Sequence, residues 1–131
     1  MINTFAQFPQ EHVYKIVKPE NFHPENSFDC ISLTDLDRKS GFIHLSHYDQ
    51  VELVLQKFFM GTPEVLIFEL EPAVLCKNGS IILEEQNKQG GSFYPHVYGK
   101  QEIPLAAVCY IYKVQCDNQT GQWCISLVQG V

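Results

Sequence analysis

An apolar stripe with helical spacing is the clearest pattern in the sequence. Its members fall at i, i+3, i+4, i+7 and i+8 and are Val51, Val54, Leu55, Phe58 and Phe59. This spacing places them on one face of a helix. Gly61 follows where a left-handed C-terminal cap is expected, and Pro63 prevents the helix from continuing. The pattern predicts one main amphipathic helix.

Short apolar or alternating segments predict the strands. Residues 13–17 alternate like a half-buried strand, whereas residues 65–70 form a nearly continuous apolar run, typical of a strand covered on both faces. Further strands are predicted at residues 42–45, 81–85, 106–114 and 123–128, and the last two form a C-terminal hairpin. Several strands with one dominant helix predict an α+β domain with a mostly antiparallel sheet.

Three segments between these elements have their own signals. Residues 19–40 are rich in polar residues and proline, which favours a long loop with one short helical turn, and residues 86–91 favour a mobile loop. Ser46 stands three residues before Asp49, the spacing of a capping box at the start of the helix. Nothing in the sequence divides the chain, so residues 1–131 are expected to form a single domain.

Composition excludes several classes of protein. The net charge is −6 and the pI about 5.2, so no global basic field is available to hold nucleic acid. The five cysteines show no metal-ligand spacing, which predicts reduced core thiols and no metal site. The sequence contains neither a secretory signal nor an apolar run of the roughly 18 residues that a membrane span needs, so a cytoplasmic protein is expected.

The first candidate for chemistry is the segment Gly41–Ser46. It places His44 at the end of an apolar strand, just before the predicted start of the helix, where free N–H groups attract an anion such as phosphate. Ser46 could bond the same ligand, although its hydroxyl equally suits a helix cap. The alternative to a functional role is that His44 is an ordinary core histidine bonded to a backbone carbonyl.

The second candidate is the segment Phe93–Gly99. His96 lies there between Tyr94 and Tyr98, either of which could stack on a planar ring, and Gly99 allows a close backbone approach. The ordinary alternative is a tight structural turn with an aromatic plug. The other three histidines, His12, His23 and His47, are expected to be solvated surface residues.

A pair of acids precedes this second segment. Glu84 and Glu85 end a predicted strand, and the pleat points one of them inward. A carboxylate there could stabilise an oxocarbenium-like sugar or orient a nucleophile, and the alternative is a solvated strand end. The nucleotide-binding, esterase and metalloprotease motifs with well-defined spacing are absent from the sequence.

A series of short motifs carries a family resemblance. They are, in chain order, Tyr14–Ile16, Gly41–Ser46, Gln50–Val51, Phe58–Gly61, Gly90–Gly91 and Pro95–Gly99. Together they resemble the bacterial domain of unknown function 952 family over residues 13–114. That family usually has an aspartate directly before the first glycine of the Gly41–Ser46 motif. This chain has Ser40 there, and Asp37 is the nearest acid.

The resemblance implies a fold similar to the ADP-ribosyltransferases, in which a split β-sheet holds NAD in a cleft. The order of elements also looks like the RNA 2′-phosphotransferase branch, in which His44 corresponds to a histidine that contacts the NAD ribose or phosphates. It implies NAD, or an ADP-ribose-like nucleotide, as the small-molecule partner, and ADP-ribosyl transfer as the reaction.

The roles implied for the residues follow from that reaction. His44 and His96 flank the cleft, Tyr98 or Tyr94 stacks on a ring, and Glu84 or Glu85 stabilises the cationic sugar. Ser46 and Gly99 are further candidates for cofactor contact.

Two other functions remain open from the sequence. His44-Leu45-Ser46 fits the H-x-S/T signature of two-histidine phosphodiesterases, although His96-Val97-Tyr98 departs from it. The chain also fits a non-catalytic nucleotide-binding module, because it has a single arginine, Arg38, and no unambiguous catalytic glutamate.

Overall fold

The structure, a computed structural model, describes residues 4–21, 30–31, 33–86, 90–100, 102–117 and 119–130. Its strands there are β1 (Val13–Val17), β2 (Cys30–Ile31), β3 (Ile43–His44), β4 (Ser46–His47), β5 (Glu64–Leu70), β6 (Ile81–Gln86), β7 (Phe93–Tyr98), β8 (Ile103–Pro104), β9 (Val108–Cys116) and β10 (Trp123–Gly130). Its α-helices there are α1 (Asp35–Ser40), α2 (Val51–Phe58) and α3 (Pro72–Leu75), and short 3-10 turns occupy Phe5–Gln7, Pro19–Asn21, Cys76–Asn78 and Leu105–Ala107.

The larger sheet has five strands in the order β10-β9-β5-β1-β4, and every neighbouring pair is antiparallel. The predicted central strand is confirmed, because Val65 to Leu70 are all buried. The C-terminal hairpin is confirmed as β9 and β10 and extends to Gly130. The α+β class with a mostly antiparallel sheet is therefore correct.

Two apolar clusters cover the two faces of this sheet. On one face, α2 packs Val51 and Leu55 against Tyr14 and its neighbours in β5 and β9. On the other face, Val17 and residues of β5 and β9 pack against the inner side of the smaller sheets. The prediction that residues 13–17 form a half-buried strand is therefore wrong, since β1 is covered on both faces and all five of its residues are buried.

Of the predicted strand at residues 42–45, only Ile43 and His44 form a strand, β3, and the next strand, β4, begins beyond it in another sheet. β3 pairs with β7 in a three-stranded sheet of order β3-β7-β6, whereas β4 pairs with β1 in the larger sheet. The chain passes from one sheet to the other at Leu45, whose N–H donates to the carbonyl of Pro95 at 3.0 Å. β2 and β8 form a separate two-stranded sheet.

The predicted capping box at Ser46 is wrong. Ser46 lies in β4, where it pairs with Tyr14 and is buried, and α2 begins only at Val51. The N–H of His47 donates instead to the side-chain oxygen of Gln50 at 2.9 Å. The start of α2 consequently follows His44 by seven residues, so the expected anion site beside that histidine does not form.

A capping box that the sequence reading missed starts α1. Thr34 accepts a hydrogen bond from the N–H of Asp37 at 3.2 Å, and the Asp37 carboxylate accepts one from the N–H of Thr34 at 3.3 Å. Gly41 ends the helix in the left-handed region at φ 80°. The predicted loop at residues 19–40 therefore contains an ordered helix, while residues 22–29 and 32 lie outside the described residues. So do residues 87–89 of the predicted mobile loop.

Gly99 is expected to be required for the stability of the smaller sheet. Its φ is +109°, and a Cβ there would lie 3.1 Å from the Cα of Ser80. Gly79 has a similar φ of +93° but open space around it, so Gly79→Ala tests the backbone strain alone. We expect Gly99→Ala to lower the free energy of unfolding by about 1–3 kcal/mol more than Gly79→Ala does, because of the added overlap. Urea unfolding of both variants checks this, and equal losses would contradict it.

Candidate functional site

The two histidines singled out in the sequence lie side by side. His44 of β3 pairs directly with His96 of β7, which puts both side chains on one face of the three-stranded sheet, and their ring centroids are 5.2 Å apart. Their strand neighbours Ile43 and Val97 point the other way and are fully buried. The histidine face is thus the outer face of the smaller sheet.

Asp37, in the first turn of α1, orients the ring of His44. Its fully buried carboxylate lies 2.9 Å from Nδ1 of His44 and accepts the backbone N–H of His44 at 3.0 Å. An ionised carboxylate can only accept, so Nδ1 carries the proton, and Nε2 of the neutral ring is left as the acceptor. Ser40 stands directly before Gly41, so the carboxylate that orients His44 comes from Asp37, three residues earlier.

Lys15 supplies the charge that balances Asp37. Its Nζ lies 2.7 Å from the other carboxylate oxygen of Asp37 and donates to the carbonyl of His44 at 2.9 Å. Burial lowers the pKa of Lys15, and the charge of Asp37 opposes that shift. Burial alone would raise the pKa of Asp37, but the hydrogen bond from His44 and the charge of Lys15 outweigh it and hold that pKa well below its usual range.

The stability of the protein is expected to fall in acid partly through Asp37. Because its pKa is lower in the folded state, the contribution of Asp37 is fully present above about pH 4 and is lost as the pH falls further. Free energies of unfolding in urea, measured from about pH 5 downward, should decline less steeply in Asp37→Asn than in the wild type. Parallel slopes would contradict this. Glu85, whose pKa is also lowered, is present in both proteins and does not affect the comparison.

His96 is held by a second carboxylate. Its Nδ1 lies 3.0 Å from Oε1 of Glu85, and the hydroxyl of Tyr98 donates to the same oxygen at 2.6 Å. The hydrogen bond from Tyr98, and to a smaller extent that from His96, lowers the pKa of Glu85. The hydrogen bond between Tyr98 and Glu85 also raises the pKa of Tyr98. The register decides between the two acids, because Glu85 shares the face of Leu83, which pairs with His96.

Glu84 points to the opposite face and has a different partner. Its Oε1 lies 2.5 Å from Nε2 of His47 in β4. The His47 side chain is 32% exposed, as expected for a surface histidine, but it is paired with a carboxylate. The His12 side chain is less exposed, at 18%, and its Nδ1 lies 2.5 Å from Oε2 of Glu69. Each of the four described histidines is paired with a carboxylate, and His23 lies outside the described residues.

Phe42 covers the pair of imidazoles. Its ring centroid lies 4.6 Å from that of His44, 4.4 Å from that of His96 and 5.1 Å from that of Tyr98. Under this ring His96 is 3% exposed, and its Nε2 has no hydrogen-bond partner among the described residues. A buried polar atom without a partner costs about 1–3 kcal/mol, which marks this position as one that a ligand atom would stabilise.

The remaining predicted residues are less accessible. Tyr94 is buried at 7% exposure, which leaves Tyr98 as the better stacking candidate, and Ser46 is buried in the larger sheet. Gly99 packs against the backbone of Ser80 at the start of β6. Two grooves on the described surface lie elsewhere, one beside Gly61–Pro63 and the other beside Gly121–Trp123. We give the histidine face more weight, because the grooves have no comparable cluster of oriented polar groups.

The sequence predicts both histidines and, as one of two acids, Glu85, but it does not predict the roles of Phe42, Lys15 and Asp37. In the sequence, Phe42 is an apolar residue of a strand and Lys15 a residue of an alternating strand. The available signal for Asp37 was the T-x-x-D spacing of Thr34 and Asp37, which marks a helix start shortly before the Gly41–Ser46 motif.

Comparison with known proteins places the fold among solved structures. The crystal structure of protein CC0527 from Caulobacter crescentus superposes with a TM-score of 0.68 at 21% identity, covering 86% of this chain and 92% of that one. A double methionine mutant of the same protein gives the same TM-score at 20% identity. No curated protein matches the chain. In the described part of the chain, every helix is too short or too polar to cross a bilayer.

The sequence of the chain also matches the model of a protein family. A family model described as protein of unknown function (DUF952) matches residues 16–111, and this range contains every residue of the histidine face described above except Lys15. The chain therefore belongs to the DUF952 family.

Proposed function

We propose that the outer face of the three-stranded sheet binds NAD or an ADP-ribose-like nucleotide and transfers its ADP-ribosyl group with release of nicotinamide. The observation that carries the proposal is the Glu85 carboxylate, which Tyr98 and His96 hold in its ionised form beside a second oriented imidazole. The divided antiparallel sheet with few helices is compatible with the ADP-ribosyltransferase-like fold that the sequence motifs imply.

The charge of the site favours a cationic reaction centre. Glu85 is the carboxylate on the histidine face and is bonded to His96 and Tyr98, whereas Lys15 balances the charge of Asp37 and Glu84 points to the opposite face. Loss of nicotinamide from NAD leaves positive charge on the ribose C1′ and its ring oxygen. A nearby ionised carboxylate stabilises that charge in the transition state, as in glycoside hydrolysis. We assign this role to Glu85.

The aromatic and apolar side chains suit the binding of a base. Phe42 and Tyr98 present ring faces next to the histidines, and Ile81 and Leu83 are exposed on the same face of β6. A nicotinamide or adenine ring stacked there would bury apolar area and leave its polar edge free to bond. His96 Nε2 is the polar atom that such a ligand would satisfy if the covering ring of Phe42 moved aside.

In this reaction His44 is the proton acceptor. The bond between C1′ and the nicotinamide nitrogen breaks, and its electron pair leaves with nicotinamide. A bond then forms from an oxygen or nitrogen of the acceptor to C1′, and the acceptor releases a proton. His44 is more exposed than His96, and Asp37 holds its Nδ1–H, so its Nε2 is the group that takes this proton.

A two-histidine phosphodiesterase is the second candidate. The observation in its favour is the short distance between two imidazoles that are each oriented by a carboxylate. The second segment, His96-Val97-Tyr98, departs from the H-x-S/T signature of that class, however, which ranks this candidate second. Turnover of a cyclic phosphodiester that is lost in both His44→Ala and His96→Ala would favour this function over the first.

Calorimetric titration with NAD, ADP-ribose and nicotinamide tests the binding, and chromatographic detection of free nicotinamide tests the reaction. We expect heat from NAD or ADP-ribose, reduced at least about 10-fold in affinity by His44→Ala, since several contacts of that ring are lost. His47→Ala is the control, because His47 bonds to Glu84 on the opposite side of the strand. Binding without product over hours would identify a non-catalytic module, and no heat with any ligand would refute the proposal.

A further inference from the structure

A second group of polar side chains lies in the larger sheet, apart from the histidine face. His12 lies directly before β1, Glu69 is in β5, and Cys109 is in β9. Each offers one potential metal-ligand atom, and these three atoms all lie within 4.8 Å of one another. Imidazole nitrogen, carboxylate oxygen and thiolate sulfur are the three ligand types that zinc accepts in proteins.

An irregularity in the sheet brings Cys109 into this group. Glu69 pairs with Tyr110 and the next residue, Leu70, pairs with Val108, so Cys109 is an extra residue in β9. A β-bulge of this kind redirects a side chain and is common beside functional sites. Without the extra residue, alternation would point Cys109 away from the face that carries Glu69 and its partner Tyr14.

The surroundings of Glu69 are negative and largely closed to water. Its carboxylate is 1% exposed and is bonded to His12 and to the hydroxyl of Tyr112, at 2.5 and 2.8 Å. Burial, and then the charges of Glu69 and Glu71, raise the pKa of the Cys109 thiol. Burial and the charge of Glu69 likewise raise the pKa of Tyr14. In the described part of the chain, Glu69 bonds to an imidazole and a phenol and not to a lysine or arginine, and a buried carboxylate in such surroundings is a favourable place for a cation.

We propose that His12, Glu69 and Cys109 bind a divalent metal ion of borderline softness, for which Zn²⁺ is the best match, with the fourth position open to water or a small ligand. Ligand atoms on a tetrahedral zinc lie about 3.3–3.8 Å apart, so the widest separation here needs to close by about 1 Å. Binding releases the thiol proton of Cys109, and it releases a second proton where His12 is charged. Tyr112 then orients the carboxylate from outside the ligand shell.

The spacing of the cysteines predicts no metal site, because the three ligands come from distant parts of the chain and one of them alone is a cysteine. His12 and Glu69 are separated by 57 residues, and pairing of β5 with both β1 and β9 brings the three side chains together. The proposal does not depend on the function of the histidine face.

Cobalt substitution tests this site directly. The reduced, metal-free full-length protein is titrated with Co²⁺, and a thiolate-to-cobalt charge-transfer band is followed by absorption. We expect the band in the wild type, in Cys116→Ser and in Cys124→Ser, whose cysteines lie outside the cluster. We expect it to be absent in Cys109→Ser. No band in the wild type, or a band that persists in Cys109→Ser, would overturn the proposal.

Zinc affinity gives a second measurement that does not depend on the thiol. Competition with a chromophoric chelator should show Zn²⁺ binding weakened by about 100-fold or more in His12→Gln, and by about 10–100-fold in Tyr112→Phe, the range found when an outer-shell partner is removed. Circular dichroism of each variant verifies that it is folded. Unchanged zinc affinity in a folded His12→Gln variant would exclude the proposed ligand set.

Discussion

Replacing Asp37 with Ala is expected to lower the free energy of unfolding by about 3–5 kcal/mol, the range for removing one partner of a buried ion pair. The side chain is fully buried and accepts three hydrogen bonds or ion-pair contacts from Lys15 and His44. Its removal leaves the buried ammonium group of Lys15 without its counter-ion and the backbone N–H of His44 without its acceptor. No repacking of the neighbouring apolar residues can satisfy either group.

Urea unfolding at neutral pH measures this loss. Asp35→Ala is the matched control, because Asp35 lies in the same helix, is 91% exposed and pairs only loosely with Arg38, so its loss is expected to stay below about 1 kcal/mol. The double variant Lys15→Met, Asp37→Ala should recover part of the stability by removing the unpaired cation. A similar small loss in Asp37→Ala and Asp35→Ala would show that the buried network does not stabilise the fold.

The Glu85→Gln variant is expected to release nicotinamide from NAD at least about 100-fold more slowly, with NAD affinity changed only a few-fold. The glutamine keeps the size of the side chain but loses the charge that stabilises a cationic sugar, and that charge develops mainly in the transition state. The fall should therefore appear in kcat and not in KM.

Glu84→Gln is the control for this substitution. It removes the same charge from the neighbouring residue, but Glu84 faces His47 on the other side of the strand. We expect its turnover to stay within a few-fold of the wild type. Equal losses in the two variants would assign the effect to the net charge of the strand. A slower Glu84→Gln alone would show that the wrong carboxylate was assigned.

Local patterns in the sequence were sufficient to predict the main helix, the central strand and the C-terminal hairpin. The stripe from Val51 to Phe59 and the apolar run of Val65–Leu70 depend on neighbouring residues alone, so periodicity predicts them well. The division of residues 43–47 between two sheets could not be predicted in this way. It depends on whether β1 or β7 lies beside each residue, and both are distant in the sequence.

The candidate site shows the same limit. The motifs located His44 and His96, but the choice between Glu84 and Glu85 depends on the register of β6 against β7, and a shift of one residue would exchange their faces. Lys15 appeared to be the polar position of a half-buried strand. Its role as the counter-ion of Asp37 emerges only because β1 is covered on both faces.

The central claim is that a nucleotide binds on the outer face of β3, β7 and β6. Histidine-ring NMR spectra test it most directly, because two of the four histidines in the described part of the chain lie on that face. With resonances assigned by single substitutions, saturating NAD is predicted to shift the ring signals of His44 and His96 and to leave those of His12 unchanged. Unchanged signals from His44 and His96 at saturating NAD would contradict the account.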